Sequence, residues 1–224
     1  VNDELRNAQF LNIAWYARCV FSRVGTPGLI LVLLMQSSYA LAATRVLVIG
    51  DSLSAGYGLN GPGWVELAGQ QLATENHDVV LLNDSISGDT TAGGVARIKD
   101  DIDRLSPDWI VIELGGNDGL RGVSPKEIIA NLQKMINIAS ADNVQVMLLG
   151  ILIPPNYGKV YTEAFANTFV TVAERNNVPL LPFFIGEVGS NPALFQEDGI
   201  HPNDQAQPVI RDNVVPFLKK HLGL

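Results

Sequence analysis

From residue 45 onward, five short apolar runs alternate with stretches of helical periodicity. Arg45 to Ile49 (RVLVI) is rich in β-branched residues, ends at Gly50 and predicts a buried strand. Val79 to Leu82, Trp109 to Leu114, Val144 to Leu149 and Val178 to Phe183 predict four more. Between them, Trp64 to Thr74 sets Trp64, Val65, Leu67, Ala68 and Leu72 close to a helical period. Thr90 to Leu105 does the same with Val95, Ile98, Ile102 and Leu105. Ser124-Pro125-Lys126-Glu127 predicts a helix start, with Ser124 as cap, Pro125 in the first turn and Glu127 completing a capping box. Helical patterns also cover Thr162 to Arg175 and Asn203 to His221, the latter broken in regularity by Pro208 and Pro216. Strands apolar on both faces, alternating with helices, predict an α/β fold: one parallel sheet covered by helices on both sides. Such sheets take ligands at the carboxyl ends of their strands. Gly50-Asp51-Ser52, Asn83-Asp84-Ser85 and Gly115-Gly116-Asn117-Asp118 all follow strands, so they should meet on one edge.

The first 42 residues follow a different pattern. Arg18 and Arg23 precede an apolar run from Gly28 to Met35, and Ala40-Leu41-Ala42 has the small-x-small form of a cleavage site. The reading is a signal peptide over 1–42, cut after Ala42, and a secreted or periplasmic domain over 43–224. The run is too short for a span, which needs about 20 residues. The leader holds Arg6, Arg18 and Arg23 against Asp3 and Glu4, which leaves −9 of the chain's net −8 on the remaining 182 residues. A domain that negative is a poor nucleic-acid binder. The single cysteine, Cys19, lies in the leader, so the mature chain has no thiol. Three scattered histidines and no mature cysteine give no metal-ligand set.

Four segments carry candidate chemistry. In Gly50-Asp51-Ser52-Leu53-Ser54 a serine stands just past a strand, where its hydroxyl can project and helical amides behind it can bind an oxyanion. Ser87-Gly88-Asp89-Thr90-Thr91 can offer a glycine amide at the strand ends. Leu114-Gly115-Gly116-Asn117-Asp118 offers the Asn117 amide, a neutral donor suited to a developing oxyanion. In Asp198-Gly199-Ile200-His201 an acid three residues before a histidine can hold one ring nitrogen while the other faces a serine. His77 precedes a strand and His221 lies in the C-terminal tail, so His201 is the best-placed base. Asp51 and Asp118 read as loop-ordering residues. Taken singly, each segment also fits an ordinary turn or helix cap.

Together, in this order, they resemble the SGNH (GDSL) hydrolase family, in GDSLS at Ser52, SGDT at Gly88, GGND at Asn117 and DGIHPN at His201. The resemblance runs from about Thr44 to about Val209 and is closest to the bacterial periplasmic branch with thioesterase, lysophospholipase and arylesterase activity. It implies a flavodoxin-like three-layer α/β/α sandwich with a five-stranded parallel sheet and no cofactor. It also implies a catalytic triad of Ser52, Asp198 and His201. The oxyanion hole would be built from the Ser52 and Gly88 amides and the Asn117 side chain. In that branch the loops after the Asn block and after the fourth strand flank the acyl chain, which makes Leu120, Ile153, Pro154 and Tyr157 candidate substrate contacts. The expected substrate is a small acyl ester or thioester: short- to medium-chain esters, aryl esters included, with thioesters and lysophospholipids as further possibilities. No membrane anchor is expected after cleavage, and a monomer is favoured. The rival readings are a carbohydrate acetylesterase, poor in the aromatics a sugar site should show, and a non-catalytic flavodoxin-like binding module.

Overall fold

The computed structural model describes residues 43–224. The leader expected over 1–42 lies outside them. Five parallel strands form one sheet in the order β2-β1-β3-β4-β5. They are β1 (Thr44–Gly50), β2 (Val79–Asn83), β3 (Trp109–Glu113), β4 (Gln145–Leu149) and β5 (Leu180–Leu181). Val46, Leu47, Val48 and Ile49 are all buried, as are Ile110, Val111 and Ile112. Successive strand residues point to opposite faces, so both faces of the central strands are covered.

Seven α-helices complete the fold: α1 (Ser52–Ala55), α2 (Trp64–Thr74), α3 (Thr91–Leu105), α4 (Gly116–Leu120), α5 (Pro125–Ala141), α6 (Lys159–Asn176) and α7 (Ala206–Leu222). α3 packs on α5 and α5 on α6, whereas α2 pairs with α7. The two groups are the outer layers of the sandwich. The chain runs from β1 to β2, then crosses back to β3 on the other side of β1. The resulting gap between the ends of β1 and β3 is the topological switch point where open sheets bind ligands. Gly50 pairs with Glu113 in register there, so the loops bearing Ser52 and Asn117 leave the sheet side by side.

Local chemistry explains the element ends. Thr90 caps α3 by accepting from the Gly93 amide, and Ser124 caps α5 by accepting from Glu127 N at 3.3 Å. α3 ends with Ser106 at φ 43°, its amide donating to Ile102 O. The fifth strand is two residues long rather than the six expected. Pro179 and Pro182 flank it, and neither has an N–H to give a ladder. The closing helix starts at Ala206, three residues later than expected, and runs through Pro216. The short helices α1 and α4 had no periodic signal, being under two turns long.

Candidate active site

β1 delivers Ser52 into the first turn of α1. Asp51 caps that turn, its Oδ1 accepting from Leu53 N at 3.0 Å, and Gly56 closes it at φ 77°. The turn is possible because Gly50 has no side chain: a Cβ there would stand 2.7 Å from Glu113 Oε2 and 2.8 Å from Ser54 Cβ.

His201 comes from a tight loop 149 residues away. Gln196 N donates to His201 O at 2.8 Å, Phe195 bridges to Pro202, and Gly199 takes the turn at φ 66°. The loop is tied to the half of the chain that carries Ser52. Asp204 Oδ1 accepts from Asn60 N and Gly61 N, Gln207 Oε1 accepts from Trp64 N, and Gln196 Nε2 donates to Tyr57 O. As a result His201 Nε2 lies 2.9 Å from Ser52 Oγ, and His201 Nδ1 lies 2.6 Å from Asp198 Oδ2. Tyr57 leans on the imidazole with ring centroids 4.5 Å apart. Asp198 Oδ1 accepts from the Ile200 and His201 amides. Burial pushes the Asp198 carboxyl upward, but these amides and the His201 ring outweigh it and hold it at about 2. It is therefore ionised beside the ring at every working pH.

Asn117 sits at the start of α4. Its Nδ2 donates to Asp51 Oδ2 at 3.0 Å. Gly116 permits this approach, since a Cβ on it would stand 3.1 Å from the same oxygen. Asp51 is 2% exposed and Glu113 behind it 1% exposed. Glu113 Oε2 accepts from Ser54 Oγ at 2.7 Å and more weakly from Asp51 N at 3.4 Å, and Trp64 Nε1 donates to Ser54 Oγ. Burial, then the Asp51 charge, drives the Glu113 carboxyl well above the usual carboxylate range.

A cavity of about 690 Å³ opens beside Ser52, in the range typical of small-molecule sites. Its walls come from the loops after β1, β3, β4 and β5 and from the loop before α7; none comes from the loop after β2. Ser52, Asn117 and His201 line it, and Ile151, Phe183, Ile185, Phe195 and Ile200 supply much of the apolar wall. Of the residues expected against substrate, Leu120, Ile153 and Pro154 line it. Tyr157 does not; its hydroxyl donates to Leu120 O, bracing the wall from outside. Gly88 is not in the lining either. It occupies a turn at φ 82°, beside the β1 loop through Ile86 N to Gly50 O. That turn is anchored by Arg97, which pairs with Asp89, Asp84 and Asp101. The wall after β5 had no sequence signal, because Phe183 and Ile185 read as ordinary core. The Asp51–Asn117 bond was equally hidden, joining residues 66 apart.

Among the described residues no group of side chains could hold a metal ion, and no helix is long and apolar enough to cross a membrane.

Residues 48–207 match the GDSL-like lipase/acylhydrolase family. The chain is 48% identical over 192 residues to the esterase TesA of Pseudomonas aeruginosa, covering 85% of this chain and 94% of that one. It is 42% identical over 187 residues to the thioesterase 1/protease 1/lysophospholipase L1 of Escherichia coli K12, covering 83% and 88%. The crystal structure of the psychrotrophic esterase EstA from Pseudoalteromonas sp., inhibited by monoethylphosphonate, superimposes with a TM-score of 0.78 at 40% identity, covering 81% of this chain and all of that one. With this fold, this site and these relatives, the chain belongs to the GDSL-like lipase/acylhydrolase family and is a carboxylic-ester hydrolase.

Proposed function

We propose that the enzyme hydrolyses short- to medium-chain acyl esters through an acyl-enzyme on Ser52. The observation that carries the reading is the unbroken chain of hydrogen bonds from Ser52 Oγ through His201 to Asp198. His201 Nε2 takes the Ser52 proton as Oγ bonds to the acyl carbon. The Asn117 side chain and the Ser52 and Gly88 amides receive the oxyanion. As the tetrahedral centre collapses, the bond to the alcohol oxygen breaks and His201 returns the proton to the leaving group. Water then attacks the acyl-enzyme by the same route. Asp198 orients the ring and offsets the imidazolium charge.

The acyl chain lies in the apolar cavity against Leu120, Ile153 and Pro154. Each methylene buried there is worth about 0.8 kcal/mol, so kcat/KM should rise roughly fourfold per carbon until the cavity is full. The leaving group faces the β2 side, where the cavity has no wall, which suits aryl esters, thioesters and lysophospholipids alike. A carbohydrate acetylesterase is disfavoured by the same apolar lining. The leader over 1–42 is proposed to be a signal peptide that directs the mature domain to the periplasm or outside the cell.

A fluorophosphonate probe and a p-nitrophenyl ester series test the reading. Stoichiometric labelling that disappears in Ser52→Ala, with turnover peaking at intermediate chain length, is the expected result. A labelled Ser52→Ala protein, or turnover indifferent to chain length, refutes the nucleophile or the acyl pocket respectively.

A further inference from the structure

The mechanism above uses Ser52, His201, Asp198 and Asn117 and leaves one buried acid beside them without a role. Asp51 accepts two hydrogen bonds on different oxygens: Leu53 N on Oδ1, which caps the nucleophile's turn, and Asn117 Nδ2 on Oδ2. An amide nitrogen carries two N–H groups. With one fixed on Asp51, the other is left for a substrate oxygen, and Asn117 lines the cavity where that oxygen would be. No other hydrogen bond of the Asn117 amide nitrogen forms among the described residues, so its side-chain torsion is set from the Asp51 side.

We propose that Asp51 is a positioning residue for the oxyanion hole: its carboxylate fixes the Asn117 amide, and only the ionised carboxylate can do so while also capping the nucleophile's turn. Both partners are donors. A protonated acid, or an asparagine in its place, puts a donor against one of them, so either the cap or the amide is released. The inference rests on Asn117 acting as an oxyanion donor and deepens that reading.

The charged groups facing Asp51 are Glu113 from β3, His201 from the loop before α7, and Asp89 from the turn before α3. Burial raises Asp51 to about 6; the bonds from Leu53 and Asn117 and the proximity of His201 oppose the rise, and Asp89 adds to it. The acid therefore changes state within the range where a hydrolase of this kind must work. Protonation of Asp51 as pH falls then releases either the cap or the Asn117 amide, and activity falls with it.

The test is the pH dependence of kcat/KM for phenyl butyrate, from about pH 4 to about pH 9, with phenol release measured by chromatography. The acid limb of the wild type should be steeper than that of Asp51→Asn, which should lower kcat about 10- to 100-fold with KM within about threefold. Should Asp51→Asn fail to fold, Asn117→Ala carries the test with Asp51 intact. If Asp51 acts through Asn117, that variant too should show the shallower limb. An acid limb as steep in Asp51→Asn or in Asn117→Ala as in the wild type overturns the proposal. So does wild-type kcat in Asp51→Asn. Fluorophosphonate labelling of each variant separates this outcome from failure of the mechanism itself, since a wrong nucleophile leaves the wild type unlabelled at Ser52.

Discussion

Single atoms decide more here than whole side chains do. Ser54 Oγ donates to Glu113 and accepts from Trp64 Nε1, so one buried oxygen satisfies the indole and supports the acid under the Ser52 loop. Ser54→Ala leaves the indole unpaired and Glu113 with only the long bond from the Asp51 amide, and a buried orphan costs about 1–3 kcal/mol. Urea unfolding should show a loss of about 2 kcal/mol or more; a loss below about 0.5 kcal/mol would mean that the pocket re-forms around the missing hydroxyl. The sequence displayed the reactive residues at this scale but not their supports. Ser52, Asn117, Asp198 and His201 stand in short polar segments directly after strands or in a glycine turn, where chemistry is readable from spacing. Ser54, Trp64 and Glu113 meet only through strand register and packing, and Glu113 stood unremarked inside the strand predicted over Trp109 to Leu114.

Among the elements, the turn bearing Gly88 depends on α3. Arg97, with a side chain 17% exposed, gathers Asp84, Asp89 and Asp101, whereas Arg104, 55% exposed, reaches two of the same acids from outside. Removing Arg97 strands carboxylates that are largely out of water; removing Arg104 strands little that solvent cannot reach. Arg97→Gln should cost about 3 kcal/mol in urea unfolding and Arg104→Gln markedly less. Equal losses would show that depth does not set the strength of this network. The long elements were legible because burial imposes periodicity: β1 is apolar and buried from Val46 to Ile49, and α5 carries its cap and proline in sequence. The fifth strand was overestimated because apolar character in Val178 to Phe183 outweighed Pro179 and Pro182. Only Leu180 and Leu181 pair with β4, and Phe183 turns into the cavity wall instead.

For the molecule as a whole, the buried acids set stability against activity. Asp51 has an ordinary value of 3.8 and is raised to about 6 in the fold. A raised carboxyl binds its proton more tightly when folded, so its contribution to stability is greatest below 3.8 and declines as pH rises through about 6. Asp198 behaves in the opposite sense: held at about 2, it contributes above its ordinary value of 3.8 and loses that contribution as the medium approaches pH 2. The difference in unfolding free energy between wild type and Asp51→Asn should therefore move against the wild type between about pH 4 and about pH 6. A flat difference across that interval would show that Asp51 is not displaced from its ordinary range.

Ser52 and His201, the proposed nucleophile and base, are separated by 149 residues and are joined by a clasp between the first and last thirds of the domain. A ribosome exposes the serine long before it exposes the imidazole. On that proposal a nascent chain is chemically silent toward esters until its last helix begins to emerge. Hydrolysis then arrives as one event at the end of synthesis, and a truncated transcript yields an inert protein rather than a weak esterase.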